Sequence, residues 1–189
     1  MAAAAIVASM SNVTIELPPH AAQTEFNLRR WAELLADPAV AKNEWRVETD
    51  RYGHVIVMPP PSPKHGSYQS EISFFLRTLM PMGRVITECP ISTADGVKAA
   101  DVAWASPECI AELGDKSCFP RSPEICVEVL SPDNPDREIR EKMALYFDAG
   151  AKEAWVCGRS GEMSFFGPSC SPMSASGLCP EFRAQIELR

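Results

Sequence analysis

The stretch that decides how this chain is built runs from Pro123 to Lys142 and reads PEICVEVLSPDNPDREIREK. Its first half alternates as a strand does. Ile125, Val127 and Val129 fall on one face, and Cys126, Glu128 and Leu130 on the other. A carboxylate thus lies inside an apolar strand. A lone buried carboxylate costs several kcal/mol even after relaxation, so Glu128 calls for a partner or a cation. The SPDNP turn then breaks the strand, and a helix is expected from near Pro135, since proline suits a first helical position. Lys142 arrives on that helix. A strand acid, a helix lysine and one further acid would form the skeleton of a metal-dependent nuclease site.

Working outward, the next strand candidate downstream is AKEAWVC (151–157), reached through a helix stop at Gly150. A right-handed crossover would make it the parallel neighbour of the Glu128 strand. Upstream, RVITECPIST and GVKAADVAWA flank Asp95-Gly96, a strong hairpin signal. In the second of these strands Val102 and Trp104 share a face, which leaves Asp101 opposite with Ala103 and Ala105. Residues 106–120 read as a loop. A helix is expected over 66–80, after a Pro-rich corner PPPSPKHG that reads as irregular. WRVETD and HVIVM read as another hairpin, and residues 24–36 as an amphipathic helix. After the 151–157 strand, MSFFGP and later FRAQIEL offer edge strands around a polar, flexible stretch at 168–176. Strands alternating with helices specify an α/β fold with a mixed sheet flanked by helices. One domain over 23–189 is expected, preceded by a flexible tail over 1–22.

Composition limits the function. Hydrophobic content of 46% and charged content of 23% are those of a soluble globular protein. A net charge of −7 argues against tight non-specific DNA binding without an ion to invert the local charge. The seven cysteines (89, 109, 118, 126, 157, 170 and 179) form no C-x-x-C pair, which reads as a reduced, cytoplasmic protein without a zinc site of regular spacing. No run approaches membrane-spanning length.

On a helical wheel at about 100° per residue, Ile139, Met143, Tyr146 and Phe147 form the buried arc and Lys142 borders it beside Tyr146. Its amine can reach over the sheet or snorkel outward. Two carboxylates about 4 Å apart repel by about 4 kcal/mol at an effective dielectric near ~20, so pairing Asp101 with Glu128 calls for a cation or a shared proton. A hard divalent ion, Mg²⁺ or Mn²⁺, suits two carboxylates and several waters. Either acid alone could equally be a strand-end residue in a salt bridge.

The ordered motifs carry a resemblance. VEVLSP, a charged turn, REK, an aromatic Tyr and GAKEAW follow WRVETDRYGHVIVMPPPSPKHG and DGVKAADVAW, and CPEFRAQIEL closes the set. Over roughly residues 44–188 this resembles the Uma-type family of restriction-endonuclease-like proteins, within the PD-(D/E)xK superfamily. The simple E-x-K form fails here, because Leu130 stands two residues after Glu128. The resemblance implies a restriction-endonuclease-like fold and a Mg²⁺-dependent endonuclease hydrolysing DNA, with a homodimer possible. It implies Asp101 and Glu128 as metal ligands, the Val129 carbonyl as a third, and Lys142 as a catalytic lysine that has migrated to the helix. Glu48, in the first hairpin, would be an additional acid, or simply an exposed strand residue. Ala100 stands where that family carries a proline. His65 and Glu71 rank as lesser candidates, and His20, His54 and Cys126 carry no partner pattern. Two other readings stay open: a catalytically silent nucleic-acid or protein interaction module on the same fold, and a hydrolase of small phosphoesters.

Overall fold

The computed structural model describes residues 20–43, 46–131 and 136–188. Six strands form one sheet in sequence order: β3 (Arg84–Thr93), β4 (Gly96–Ala105), β5 (Ile125–Val129), β6 (Glu153–Cys157), β7 (Met163–Gly167) and β8 (Ser171–Met173). Every neighbouring pair is antiparallel except β5 and β6, which run parallel with Ile125 opposite Glu153 and Val129 opposite Cys157. That exception follows from α5 (Asp136–Asp148), the crossover helix between them. The amides of Gly150 and Ala151 close the end of α5 on the carbonyls of Phe147 and Tyr146, with Gly150 at φ 107°. A separate two-stranded sheet, β1 (Arg46–Thr49) with β2 (Val55–Met58), packs its first strand against β4. The mixed α/β sheet expected from the sequence is therefore observed.

Helices start where the chain places a capping residue before proline. In α2 (Pro38–Asn43), Asp37 Oδ1 accepts from the Ala39 amide at 2.8 Å. In α3 (Pro63–Leu79) Ser62 accepts from the His65 amide, and in α4 (Pro107–Leu113) Ser106 accepts from the Cys109 amide. Proline occupies the first turn of α3 and α4 with its fixed φ already helical, while the serine satisfies an orphan amide. These caps correct two sequence expectations: the Pro-rich corner is irregular only as far as Ser62, and the 106–120 loop contains α4. A short helix not anticipated from the sequence, α2, follows α1 (His20–Leu35).

Further differences concern the ends and one turn. The β3–β4 reversal has Ala94 and Asp95 as its two loop residues, neither at positive φ, with Thr93 opposite Gly96 at φ 86°. A Cβ on Gly96 would collide with the carbonyl oxygens of Thr49 and Asp50, so the glycine admits β1 as well as the turn. β8 and a short 3₁₀ turn lie within the stretch read as polar and flexible, whereas FRAQIEL contributes only an isolated bridge, Gln185 with Glu162. Residues 1–19 of the expected tail and 132–135 of the SPDNP turn lie outside the described residues, and residues 20–22 are helical.

The sheet is covered on both faces. Tyr68, Ile72 and Leu76 of α3 pack on Val102, Ile125, Val127, Val129 and Trp155. On the opposite face Tyr146 of α5 packs among Ala100, Ala103, Ala105 and Cys126. These small side chains let α5 approach the strands closely, and Tyr146 is fully buried. Strict alternation would send Ala100 and Ala103 to opposite faces, yet both join the α5-side cluster. The alternation resets at Asp101 and at its cross-strand neighbour Glu88. This is the one position where the β3–β4 ladder lacks a pair, and Glu88 adopts φ 50°. A non-glycine residue in that region is strained by about 1–3 kcal/mol and persists only where its surroundings hold it.

Candidate active site

The β4–β5 ladder pairs Trp104 with Ile125, Ala103 with Cys126 and Val102 with Val127, and then stops. One residue further along the same register, Asp101 stands opposite Glu128. From there the two strands splay, and side chains satisfy the backbone groups that a ladder would have used. The Val97 amide donates to Thr49 Oγ1 at 2.9 Å and the Ala99 amide to Glu48 Oε1 at 3.1 Å. The Ala99 carbonyl accepts from Lys142 Nζ at 2.9 Å, the Asp101 carbonyl from Gln69 Nε2 at 3.2 Å. The Val129 amide donates to Asp101 Oδ2 at 2.7 Å. The split in the sheet is thereby lined with charged groups held by the backbone itself.

Two ionic groups meet there. Lys142 Nζ lies 2.8 Å from Glu128 Oε2 and 3.3 Å from Glu48 Oε1, while the Tyr146 hydroxyl donates to Glu128 Oε1 at 2.6 Å. Lys142 and Tyr146, one helical turn apart on α5, thus hold both oxygens of one carboxylate. Asp101 Oδ1 takes Arg46 Nη2 at 2.6 Å, and Oδ2 takes His65 Nε2 at 3.2 Å in addition to the Val129 amide. Arg46 Nε pairs with Glu88 at 2.5 Å, and Gln69 Nε2 donates to Glu88 Oε1 at 2.7 Å. Gln69 and Arg46 thus both tie the strained Glu88 to Asp101.

Electrostatics follow from burial. Burial opposes the charge on Asp101, but the bond and charge of His65, the Lys142 ammonium and the Val129 amide outweigh it and hold the carboxyl below its ordinary range. Burial pushes Glu128 up to about 7, opposed by Lys142 and reinforced by the Asp101 charge. Burial would strip Lys142 of its proton, yet Glu128, Glu48 and Asp101 reverse that and raise it above its ordinary value. Glu128 thus moves upward through burial and Lys142 through its acidic neighbours; four carboxyl groups, Glu48, Glu88, Asp101 and Glu128, face the two cations Arg46 and Lys142 before His65 is counted. His65 is itself raised, since the bond and charge of Asp101 overcome its burial.

The site floors a cleft of about 490 Å³. Asp101, Glu128, Val129 and Lys142 line it together with Arg46 and His65, and the 58–62 segment that precedes α3 forms one wall. All the sequence-derived site residues therefore come to one place. Glu48 is buried against Lys142 rather than exposed, Lys142 points inward rather than snorkelling, and Val129 contributes its amide to Asp101. Glu71 is half-buried on α3 and does not line the cleft. Arg46, Gln69, Glu88 and Tyr146, which the sequence reading did not single out, join the same network, and so does His65, a lesser candidate there. The helix start Ser62-Pro63 was the available signal for His65, because it places that side chain on the first turn facing the strands.

The donor set suits a hard ion of few protein ligands. Among the described residues no group of three or more His, Cys, Asp or Glu is arranged to hold a metal. Two carboxylates on neighbouring strands, with surplus negative charge, match the Mg²⁺ habit of one or two protein carboxylates and several waters. Burial pushes Cys118, Cys126 and Cys157 up to about 12, and none of the seven cysteines is in a disulfide. No helix among the described residues is long and apolar enough to cross a membrane.

Comparison with known proteins agrees with the fold. The family model Uma2, described as "Putative restriction endonuclease", matches residues 31–166. Among solved structures, a protein described as a putative nuclease belonging to DUF820, from Anabaena variabilis ATCC 29413, superposes with a TM-score of 0.62 at 17% identity. The match covers 74% of this chain and 86% of that one, and at this identity it is a likeness of fold. No curated protein matches the chain.

Proposed function

The chain belongs to the Uma2 family, described as "Putative restriction endonuclease", and from that premise we propose that it is a Mg²⁺- or Mn²⁺-dependent endonuclease hydrolysing phosphodiester bonds of DNA. The observation that carries this reading is the meeting of Asp101, Glu128 and Lys142 on the floor of one cleft, with more carboxylates than cations around them. In this reading Asp101 and Glu128 hold the ion, with the Val129 carbonyl as a third ligand. When bound, such an ion acidifies a water and neutralises charge on the phosphoryl oxygens. Lys142 supplies a permanent positive charge beside the reacting phosphate, and its proton is secured by three carboxylates. Tyr146 fixes the Glu128 carboxylate from the side away from the amine, and Glu48 fixes the amine itself. The Val129 amide and His65 orient Asp101, so the acids enter the reaction already placed.

The test is cleavage of plasmid DNA with Mg²⁺ or Mn²⁺ by the wild type, D101A and E128A, with a chromogenic phosphodiester in parallel. Wild-type cleavage that both substitutions abolish supports the proposal, and metal-dependent cleavage that survives them overturns it. Activity on the small ester alone would instead favour a small-phosphoester hydrolase. A second reading, a catalytically silent interaction module, is favoured by one observation: all four oxygens of Asp101 and Glu128 already have protein partners. Folded protein that binds DNA or a protein partner but no divalent ion, by calorimetric titration, would decide for it.

A further inference from the structure

The two oxygens of Asp101 are held in different ways. Oδ2 is fixed from the scaffold, by the Val129 amide and by buried His65. Oδ1 takes the Arg46 guanidinium, and both groups line the cleft. Beside the charges of His65 and Lys142, Arg46 is the cation seated on Oδ1, where a divalent ion would sit, on a side chain only 3% exposed. We propose that Arg46 is the exchangeable cation of this site: it holds Asp101 Oδ1 in the metal-free protein and withdraws toward Glu88 when a divalent ion takes that oxygen. The inference rests on the proposed function, in that it assumes the ion binds at Asp101.

Three features make the exchange feasible. The guanidinium is already tethered away from Asp101, since its Nε pairs with Glu88, whose side chain is 37% exposed and so accessible to solvent. Gln69 holds the other Glu88 oxygen, so that anchor survives the loss of the Asp101 contact. Space is available as well. Arg46 also lines a second cleft of about 360 Å³, with Glu88, Trp31, Val47 and Pro90 among the other residues in its wall. Arg46 borders both clefts, so withdrawal needs no opening of the core. Once released from Oδ1, its Nη groups remain at the rim of the substrate cleft with donors for a phosphate oxygen.

The competition is measurable without turnover. Mn²⁺ binding is compared by calorimetry at fixed pH for the wild type, R46M and D101N, methionine matching the arginine stem without its charge. Affinity should rise by about tenfold or more in R46M, because the ion no longer displaces a buried cation. In the wild type, the ¹⁵Nε–H signal of Arg46, assigned by through-bond correlation to its own backbone amide, should move during a Mg²⁺ titration with the midpoint of ion binding. That second readout decides the matter even if R46M fails to fold. Equal or weaker binding by R46M, or an unmoved Arg46 signal while D101N loses the ion, overturns the exchange and leaves the proposed function standing. Undiminished binding by D101N, or none by the wild type, removes the metal site itself and the exchange with it.

Discussion

Lys142 Nζ lies 2.8 Å from Glu128 Oε2 although the two residues stand on different elements, one on a strand and one on the helix that follows it. The amine meets two carboxylates and a backbone carbonyl in a buried pocket, so its charge is structural before it is anything else. Removing it leaves Glu128 and Glu48 uncompensated. K142M should therefore lose about 3–5 kcal/mol of stability, as breaking one partner of a buried pair does. Chemical denaturation of the metal-free protein measures this, and a loss below about 1 kcal/mol would mean the pair is not buried in solution. Phosphodiester cleavage should be lost as well.

Tyr146 gives a finer separation. Y146F keeps the ring among Ala100, Ala103 and Cys126 and deletes only the hydroxyl that donates to Glu128 Oε1. The expected cost is about 1–3 kcal/mol, the usual range for leaving a buried acceptor short of a donor. Urea unfolding with an unchanged m-value would assign that cost to the bond rather than to repacking.

His65 sets a pH dependence. Its folded value lies above the ordinary 6.5, so the stability it gains from Asp101 is fully present below the unfolded value and is lost as pH rises through the folded one. Asp101, held low, stays ionised across this window. In chelator, the stability difference between wild type and H65Q should be largest near about pH 5.5 and should shrink toward about pH 9. A difference that grows with pH would contradict a charged His65–Asp101 pair.

Gly96 tests the join between the two sheets. G96A puts a side chain at φ 86° and drives its Cβ into the carbonyls of Thr49 and Asp50. About 1–3 kcal/mol should be lost through backbone strain, with more from the collision. Urea unfolding of the variant beside the wild type measures the loss.

The sequence carries the sheet and half of the site. The alternation of Ile125, Val127 and Val129 against Cys126, Glu128 and Leu130 is the alternation of the two packed faces, and the wheel positions of Ile139, Met143 and Tyr146 give the buried side of α5. Lys142 was legible because it borders that arc. Arg46 and Glu88 were not, for a physical reason. Arg46 opens a four-residue strand with no long pattern, and Glu88 sits where β3 leaves regular backbone, which period-2 reading cannot follow. The start of α3 was obscured by the prolines of its corner, where Ser62 caps the helix; α2 and α4 likewise begin at a proline, after Asp37 and Ser106.

Holding the amine on α5 has an evolutionary consequence. In the E-x-K arrangement the lysine stands two residues after the acid, and that position is Leu130 here, packed beside Ile139 and Met143. On the proposed function, a charge supplied by the helix leaves residue 130 to packing alone. Descent would then be traced by a different signature: a strand acid, a lysine fourteen positions on and a tyrosine four beyond it, which are Glu128, Lys142 and Tyr146 in this chain.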